Sequence, residues 1–311
     1  MKALVGYTGF VGSNLALSTS FDAMYNSKNI TQGYGSKPEL LLYAGVPAAK
    51  YLANKAPEED LAVIRQAEEN IAQIAPQKLV LISTIDVFPQ SVGVDENIIP
   101  AEHSEAYGKN RRQLELWTRE HYPDALIVRL PALFGQNLKK NFIYDILHPI
   151  PFRLTDKLYE KFSQQEPELT DCYSSLENGF FQRREMSKAE ESKVRQIFDR
   201  LGFSALNFTD SRSRYQFYPL SRLWQDIETA LENNLRVFHP ATEPVTAGEI
   251  YEKLTGQKFV NELGKKPANY DYRTCYGEMF GGRDGYIMSK EEIVMQIIYF
   301  IHNQGRQNDE V

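Results

Sequence analysis

Three glycines near the start of the chain, Gly6, Gly9 and Gly12, constrain its fold more than any other feature. An apolar run, Lys2–Val5, precedes them, and apolar residues near helical spacing follow, so the glycines lie on a predicted strand-to-helix turn. Gly6 would permit a tight turn, Gly9 a close approach of the backbone to a ligand, and Gly12 the packing of helix on strand. The free N–H groups of the first helical turn would face an anion. This pattern predicts a pyrophosphate-binding turn formed by Gly6, Gly9, Phe10, Val11 and Gly12, whereas a structural turn without a ligand is the alternative for such glycines taken alone.

Strand and helix patterns alternate from the N-terminus to Gly135. Strands are predicted at 21–25, 39–45, 78–83 and 125–130, and helices at 57–75 and 107–121. Such alternation indicates a doubly wound parallel sheet with right-handed crossovers.

Beyond Gly135 the sequence becomes more charged, and residues 155–200 have a mostly helical pattern. A strand predicted at 215–219 would return to the sheet, and another is predicted at 236–239. The fold class is therefore α/β, a Rossmann-type doubly wound parallel sheet with a smaller, mainly helical C-terminal substrate lobe. Residues 1–150 and 213–240 are assigned to the NAD(P)-binding domain, and 151–212 and 241–311 to the substrate lobe.

Charge and composition exclude several classes of function. The 311 residues carry a net charge of −6 with no dense Lys/Arg cluster, which argues against a nucleic-acid partner. Apolar runs are too short to span a bilayer and a strand begins at once, so we expect no membrane partner and a cytoplasmic protein. The two cysteines and five histidines are scattered, so no metal site is predicted.

The predicted second strand ends in three small polar or basic residues, Asn26, Ser27 and Lys28. An acidic residue at this position would bind the ribose hydroxyls of NAD, whereas these residues leave room for a 2′-phosphate. The only nearby acid, Asp22, lies at the start of the strand. The cofactor is thus NADP or NAD, with NADP favoured, and an ordinary polar turn is the alternative. The third strand ends in Tyr43, Ala44 and Gly45, where small residues suit a backbone that passes close to a cofactor.

Four segments in the same order, Gly6–Gly12, Ser83–Phe88, Tyr107–Arg111 and Arg129–Gly135, resemble motifs of the extended short-chain dehydrogenase/reductase family. This family comprises nucleotide-sugar epimerases, dehydratases and reductases, and the resemblance is densest over residues 1–136. It implies an enzyme that transfers hydride between a nicotinamide cofactor and a nucleotide-activated sugar or similar polyol. It also implies a homodimer, paired through the helices at 57–75 and 104–121.

The resemblance assigns roles to three catalytic residues. Thr84 would orient the substrate's carbonyl or alcohol, and Tyr107 would be the acid/base, which requires a nearby cation because a phenol ordinarily titrates near pH 10. The family's usual lysine, four residues after the tyrosine, is Arg111 here. An arginine keeps the charge and can bind ribose hydroxyls, but it cannot relay a proton. The alternative is a helix-surface arginine beside a structural tyrosine. Cofactor contacts would also come from Ser83, Tyr107, Arg111 and Pro131.

In this family, the residues after Thr84 distinguish between the reactions that its members catalyse. Dehydratases carry an acidic pair directly after the threonine, whereas Ile85 breaks that pair here and leaves Asp86 alone. This favours epimerisation or keto-reduction over dehydration, with Asp86 contacting substrate or only capping a turn. The substrate residues implied by the resemblance are Thr84, Asp86, Val87, Asn137, Lys140, Asn141 and Tyr218. The rival hypothesis is a non-catalytic NAD(P)-binding sensor or scaffold protein.

Overall fold

The computed structural model describes residues 1–102, 104–176 and 179–309. Within this part of the chain the backbone forms thirteen strands and ten α-helices. The strands are β1 Lys2–Val5, β2 Ala23–Tyr25, β3 Leu40–Tyr43, β4 Lys78–Thr84, β5 Leu126–Leu130, β6 Ala132–Phe134, β7 Arg153–Thr155, β8 Tyr173–Leu176, β9 Phe180–Arg183, β10 Arg214–Tyr215, β11 Phe217–Pro219, β12 Val237–Phe238 and β13 Val245–Thr246. The helices are α1 Phe10–Ser18, α2 Lys50–Lys55, α3 Pro57–Ile74, α4 Ala106–His121, α5 Phe142–Leu147, α6 Asp156–Gln165, α7 Lys188–Arg200, α8 Leu223–Glu232, α9 Ala247–Thr255 and α10 Lys290–Asp309.

A six-stranded sheet in the order β12-β5-β4-β3-β1-β2 forms the centre of the fold. Every neighbouring pair in it is parallel. All five residues of β5 are buried, as expected of a strand covered on both faces. The strand order reverses between β1 and β3, and ligands of such sheets bind at this switch point, beyond the carboxyl ends of the strands. The sheet confirms the predicted Rossmann-type α/β class.

The first turn and the apolar stripe of α3 explain why this segment forms a helix that packs in the core. Pro57 occupies the first turn, where its missing N–H leaves no bond unmade, and three acidic residues follow it beside the positive end of the helix dipole. Its apolar stripe, which includes Ile64 and Ile71, is buried in the core with strand residues such as Leu41 and Leu79.

Two predicted segments differ from the structure. Strand β11, predicted as part of 215–219, pairs not with the central sheet but with β6, in a separate two-stranded parallel sheet. The stretch 155–200, predicted to be mostly helical, contains β8 and β9, which form an antiparallel sheet with β7. These strands have three or four residues each, too few for alternation of apolar and polar residues to be distinguished from a helical pattern.

The chain divides into two compact units. The first comprises Met1–Leu138, Arg214–Val245 and Ala268–Ile297, and the second comprises Lys139–Ser213, Thr246–Pro267 and Ile298–Val311. Residues 268–297, assigned from sequence to the substrate lobe, belong to the first unit, where their backbone is bonded to other segments of that unit. The Asp271 N–H donates to the Ser91 carbonyl at 2.8 Å, and the Tyr272 N–H donates to the Gln216 side chain at 2.9 Å.

The second unit has a hydrophobic core of its own. Helices α6 and α7 and the three-stranded sheet contribute buried side chains, among them Leu154, Phe162, Tyr173 and Phe198. The rings of Phe162 and Phe198 meet edge to face, with centroids 6.0 Å apart.

Among the described residues, no helix is both long enough and apolar enough to cross a membrane.

Candidate active site

The glycine turn joins β1 to α1 at the switch point of the sheet. Gly6 has a positive φ of 91°, and a Cβ there would overlap the Ala44 carbonyl. A Cβ on Gly12 would overlap the Gly6 carbonyl, so this glycine lets α1 pack directly against the turn. A Cβ on Gly9 would lie 3.3 Å from the same carbonyl. A side chain at Gly6 or Gly12 is therefore sterically excluded, and both positions require glycine.

The beginning of α1 is suited to an anion. Gly9 is the N-cap residue and has no side chain with which to cap the first N–H groups, and the first turn carries no acidic residue. The positive end of the helix dipole and these N–H groups therefore face the space left by the missing side chain. The turn fits the pyrophosphate of a dinucleotide, which would be held by Gly9, Phe10, Val11 and Gly12.

The end of β2 forms a compact polar turn. The Asn26 N–H donates to Asn29 Oδ1 at 2.7 Å, and Asn26 Oδ1 accepts from the Lys28 N–H at 2.9 Å. The side chains of Ser27 and Lys28 are exposed. Asp22 bonds the Lys2 N–H at 2.6 Å, at the other end of the strand. Ser27 and Lys28 are thus the side chains of this turn that are open to a ligand.

Two predicted cofactor residues direct their side chains into the protein. The Tyr43 hydroxyl is buried and accepts from Asn70 Nδ2 at 3.3 Å, and burial raises the pKa of this phenol to about 12. The Ser83 hydroxyl donates to Glu115 Oε1 at 2.7 Å. Contact between either residue and a cofactor would therefore come from the backbone. The same holds for Ala44, which has only a methyl side chain and whose N–H donates to the Val5 carbonyl at 2.9 Å.

Thr84 and Tyr107 lie together at the carboxyl edge of the sheet. Thr84 ends β4 and Tyr107 lies in the first turn of α4, and the Thr84 side chain is close enough to lower the pKa of the Tyr107 phenol. The Tyr107 N–H donates to Asn54 Oδ1 at 2.9 Å, which fixes the start of the helix. The Arg111 guanidinium lies over the phenol ring, with its carbon 4.1 Å from the ring centroid. A hydroxyl, a phenol and a fixed cation are thus brought together, as acid/base chemistry requires.

The pKa of Tyr107 is raised above the ordinary phenol value, chiefly because the ring is buried. The charge of Arg111 and the nearby Thr84 side chain lower this pKa, whereas the charges of Asp86 and Asp60 raise it. The phenol is therefore protonated near neutral pH, which is the form that donates a proton.

Arg111 is buried rather than on the helix surface, and its guanidinium is bound on two sides. One terminal nitrogen is ion-paired with Asp60 Oδ2, and the other donates to the Pro47 carbonyl at 2.7 Å. Asn110 Nδ2 donates to the same carboxylate oxygen at 2.8 Å. The arginine is therefore held in place by α3 and by the loop after β3.

Asp86 is the middle residue of the short 3-10 turn, Ile85–Val87, that follows β4. Thr84 Oγ1 accepts from the Asp86 N–H at 3.2 Å, so it is the threonine that caps this turn. The Asp86 carboxylate accepts from Lys50 Nζ at 3.3 Å and from the Tyr270 hydroxyl at 3.3 Å. Val87, also predicted to contact substrate, is fully buried and packs in the core with Tyr272.

The remaining predicted substrate residues are divided between the two units, with Asn137 and Tyr218 in the first and Lys140 and Asn141 in the second. Tyr218 is fully buried, and its hydroxyl donates to Asp226 Oδ2 at 2.7 Å, so its side chain belongs to the core. Asn137 Nδ2 donates to Ser13 Oγ at 3.3 Å, beside the glycine helix. In the second unit, Asn141 caps α5 by accepting the Ile143 and Tyr144 N–H groups at 3.0 and 3.2 Å. Lys140 precedes it, and burial lowers the pKa of this ammonium.

Asn14 is a positioning residue that the sequence analysis did not assign. Its side chain is buried and forms two hydrogen bonds to the backbone of Gln136: Nδ2 donates to the carbonyl at 2.8 Å, and Oδ1 accepts the N–H at 3.0 Å. A Cβ on Gly135 would lie 2.6 Å from Asn14 Oδ1, so the glycine permits the contact. A polar residue on the otherwise apolar face of α1 was the available signal. Asp60 and Asn54, which hold Arg111 and Tyr107, were missed because their partners are about fifty residues away.

The described residues contain no group of three or more His, Cys, Asp or Glu side chains that could hold a metal ion.

Neither a protein-family model nor a curated protein matches the sequence. Solved structures match nearly the whole chain. The NADP complex of dTDP-4-dehydrorhamnose reductase from Bacillus anthracis has a TM-score of 0.62 at 14% identity, over 97% of each chain. UDP-glucose 4-epimerase from Thermotoga maritima, with UDP-glucose, has a TM-score of 0.59 at 13% identity, over 98% of this chain and 99% of the epimerase. A mutant UDP-glucuronic acid 4-epimerase from Bacillus cereus, in complex with NAD and a UDP-sugar, has a TM-score of 0.57 at 14% identity, over 98% of this chain and 100% of that one. The chain thus has the fold of these reductases and epimerases.

Proposed function

We propose that the chain is an NAD(P)-dependent oxidoreductase or epimerase that acts on a nucleotide-activated sugar or similar polyol. The observation that carries this proposal is the pairing of Thr84 with Tyr107 under the Arg111 guanidinium, at the sheet edge where the glycine turn also lies. Structures with the same fold belong to a reductase in complex with NADP and to epimerases in complex with UDP-sugars, which supports the same class of reaction here.

In the proposed reaction the glycine turn would hold a dinucleotide, whose nicotinamide ring would supply or accept hydride at a substrate carbon. Tyr107 donates its hydroxyl proton to the oxygen on that carbon during reduction, and takes the proton back during oxidation. Thr84 hydrogen-bonds the same oxygen and orients it. Arg111 stabilises the phenolate that is left when the proton is transferred. Asp86, with Lys50 and Tyr270 around it, is placed to accept a hydrogen bond from a substrate hydroxyl.

The proposed role of Tyr107 is tested by Tyr107→Phe, which removes the proton and leaves the ring on which Arg111 lies. We expect turnover of nucleotide sugars to fall by at least about a hundredfold, with the affinity for the dinucleotide unchanged. Retained turnover would contradict the acid/base assignment. If neither wild type nor variant turns over any nucleotide sugar while both bind the dinucleotide, the chain is a sensor or scaffold.

NADP is the proposed cofactor, because the turn after β2 carries no acid and exposes Ser27 and Lys28. Denaturing the purified protein and identifying any released dinucleotide provides the first test. Tightly retained NAD would contradict the NADP preference and favour an epimerase, whereas exchangeable NADPH would favour a reductase. Lys28→Asp should shift the relative affinity from NADPH towards NADH. An unchanged affinity ratio would exclude Lys28 as a phosphate ligand.

We also propose that the chain forms a homodimer through α3 and α4. Each of these helices presents an exposed apolar side chain, with Val63 37% and Leu116 52% exposed. Light scattering of the purified protein should give twice the mass of the chain, and a monomeric mass would contradict the proposal.

A further inference from the structure

The Arg111 guanidinium is almost fully buried and is contacted through both terminal nitrogens and one flat face. One terminal nitrogen is paired with Asp60, the other donates to the Pro47 carbonyl at 2.7 Å, and its flat face lies on the Tyr107 ring. The side chain of Arg111 is 6% exposed and that of Asp60 is 9% exposed. A cation held in this way acts on the phenol beneath it rather than on a cofactor hydroxyl.

Asp60 holds this arrangement through a single oxygen. Both the Arg111 guanidinium and Asn110 Nδ2 bond Oδ2 of Asp60, and Asn110 also donates to the Pro57 carbonyl at 3.3 Å. An asparagine at position 60, with its amide oxygen in place of Oδ2, would keep both contacts and lose only the charge.

We propose that Asp60 is a positioning residue of the active site, which fixes Arg111 over Tyr107 and offsets part of its positive charge. This inference rests on the proposed role of Tyr107 as acid/base. In this arrangement Arg111 acts on the phenol alone. The pKa of Tyr107 then depends on Asp60 of α3 as well as on Arg111 of α4.

The charged and titratable groups around Tyr107 support this assignment. Arg111 lies on the ring from α4 itself, and Asp60 faces the arginine from α3. Asp86 contributes from the turn after β4, where Lys50 of α2 pairs with its carboxylate at 3.3 Å. The carboxylates of Asp60 and Asp86 raise the pKa of Tyr107, and Arg111 lowers it. Removing the charge of Asp60 alone should therefore lower this pKa.

The test compares Asp60→Asn with Glu59→Gln, which removes a charge from an exposed neighbour on the same turn of α3. Tyr107 is titrated by the ultraviolet absorbance of its phenolate, as the difference between each protein and the same protein carrying Tyr107→Phe. Asp60→Asn should lower the pKa of Tyr107 by about 0.5 to 1 unit, and Glu59→Gln should leave it unchanged. The dissociation constant of the dinucleotide should be the same in all of these proteins.

Two further variants keep the test decisive if Asp60→Asn does not fold. Arg111→Gln should raise the pKa of Tyr107, and the double variant with Asp60→Asn, which buries no unpaired charge, should bring the pKa back towards the wild-type value. An unaltered pKa in Asp60→Asn, an equal shift in Glu59→Gln, or a double variant no different from Arg111→Gln would overturn the proposal. A large loss of dinucleotide affinity in Arg111→Gln would overturn it too, because the arginine would then be a cofactor ligand.

These readouts require no substrate. If no nucleotide sugar is turned over but the titrations behave as expected, the proposed reaction fails and the role of Asp60 stands. Where turnover is measurable, the limb of the pH profile that reports Tyr107 should move to lower pH in Asp60→Asn.

Discussion

The first unit contains two buried arginine–carboxylate pairs that differ in how completely they are satisfied. Arg129 and Glu115 form a two-pronged pair, with Nε and one terminal nitrogen at 2.9 and 2.8 Å from the two carboxylate oxygens. Arg111, by contrast, pairs with a single oxygen of Asp60, and the face of its guanidinium lies on the Tyr107 ring. The same two chemical groups therefore form a connection between elements in one place and surround a buried phenol in the other.

The Arg129–Glu115 pair joins the ends of several elements. Glu115 also accepts from the Ser83 hydroxyl at 2.7 Å and from Arg112 at 3.0 Å, and Arg129 contacts His239 Nε2 at 3.2 Å. These contacts connect β4, β5, α4 and the segment after β12. All three nitrogens of Arg129 are bonded within the protein and the residue is buried, so the pair holds together the sheet edge on which Thr84 lies and does not face a ligand.

The largest expected effect comes from breaking the rigid pair. Glu115→Ala leaves the Arg129 charge buried without its partner, which costs about 3 to 5 kcal/mol of folding stability. Chemical denaturation measures this cost, and Glu120→Ala, an exposed position on the same helix, is the matched control. A loss below about 1 kcal/mol would show that water or a neighbouring side chain replaces Glu115.

The pair at the site should lose turnover as well as stability, because removing Arg111 leaves the Asp60 charge buried without its partner. Arg111→Met keeps an apolar chain over the phenol and removes the charge, so turnover should fall by at least about tenfold, the effect of one pKa unit. Steady-state kinetics and denaturation are measured together. We expect the ratio of lost activity to lost stability to be larger than in Glu115→Ala, and a smaller ratio would contradict the distinction drawn between the two pairs.

The sequence predicted the parts of this molecule that depend on neighbours along the chain. The glycine turn, helices α3 and α4 and the alternation that gives the parallel sheet all follow from local spacing, and the structure contains them. The position of Thr84 at the end of a strand and of Tyr107 in a first helical turn follows from the same patterns.

Long-range partners could not be predicted from spacing. Asp60 is one of three acids at the start of a helix, and nothing in the sequence separates it from Glu58 and Glu59 as the partner of Arg111. Tyr218 was assigned to substrate binding, but Asp226 takes its hydroxyl within the core. In each case the folded chain decides which polar groups are left without a partner, and that depends on all elements at once.

The smallest expected effect concerns His239, which contacts Arg129 and makes the surroundings of the Arg129–Glu115 pair sensitive to acid. His239 is fully buried beside Arg129, and its Nδ1 faces the Arg273 carbonyl at 3.1 Å, as a neutral ring with the proton on Nδ1 requires. Burial first, and the charge of Arg129 second, lower the pKa of this histidine to about 3, against the ordinary value of 6.5. The unfolded chain therefore binds a proton that the folded chain does not, and stability is lost as the pH falls from about 6.5 towards 3, by up to about 1.4 kcal/mol per pH unit.

His239→Gln should reduce this dependence of stability on pH, measured by denaturation between pH 6 and pH 5, whereas the exposed His121→Gln should leave it as in the wild type. An equal slope in the His239 variant would mean that the ring is charged in the folded protein, and Arg129 would then face a cation where we infer a neutral acceptor.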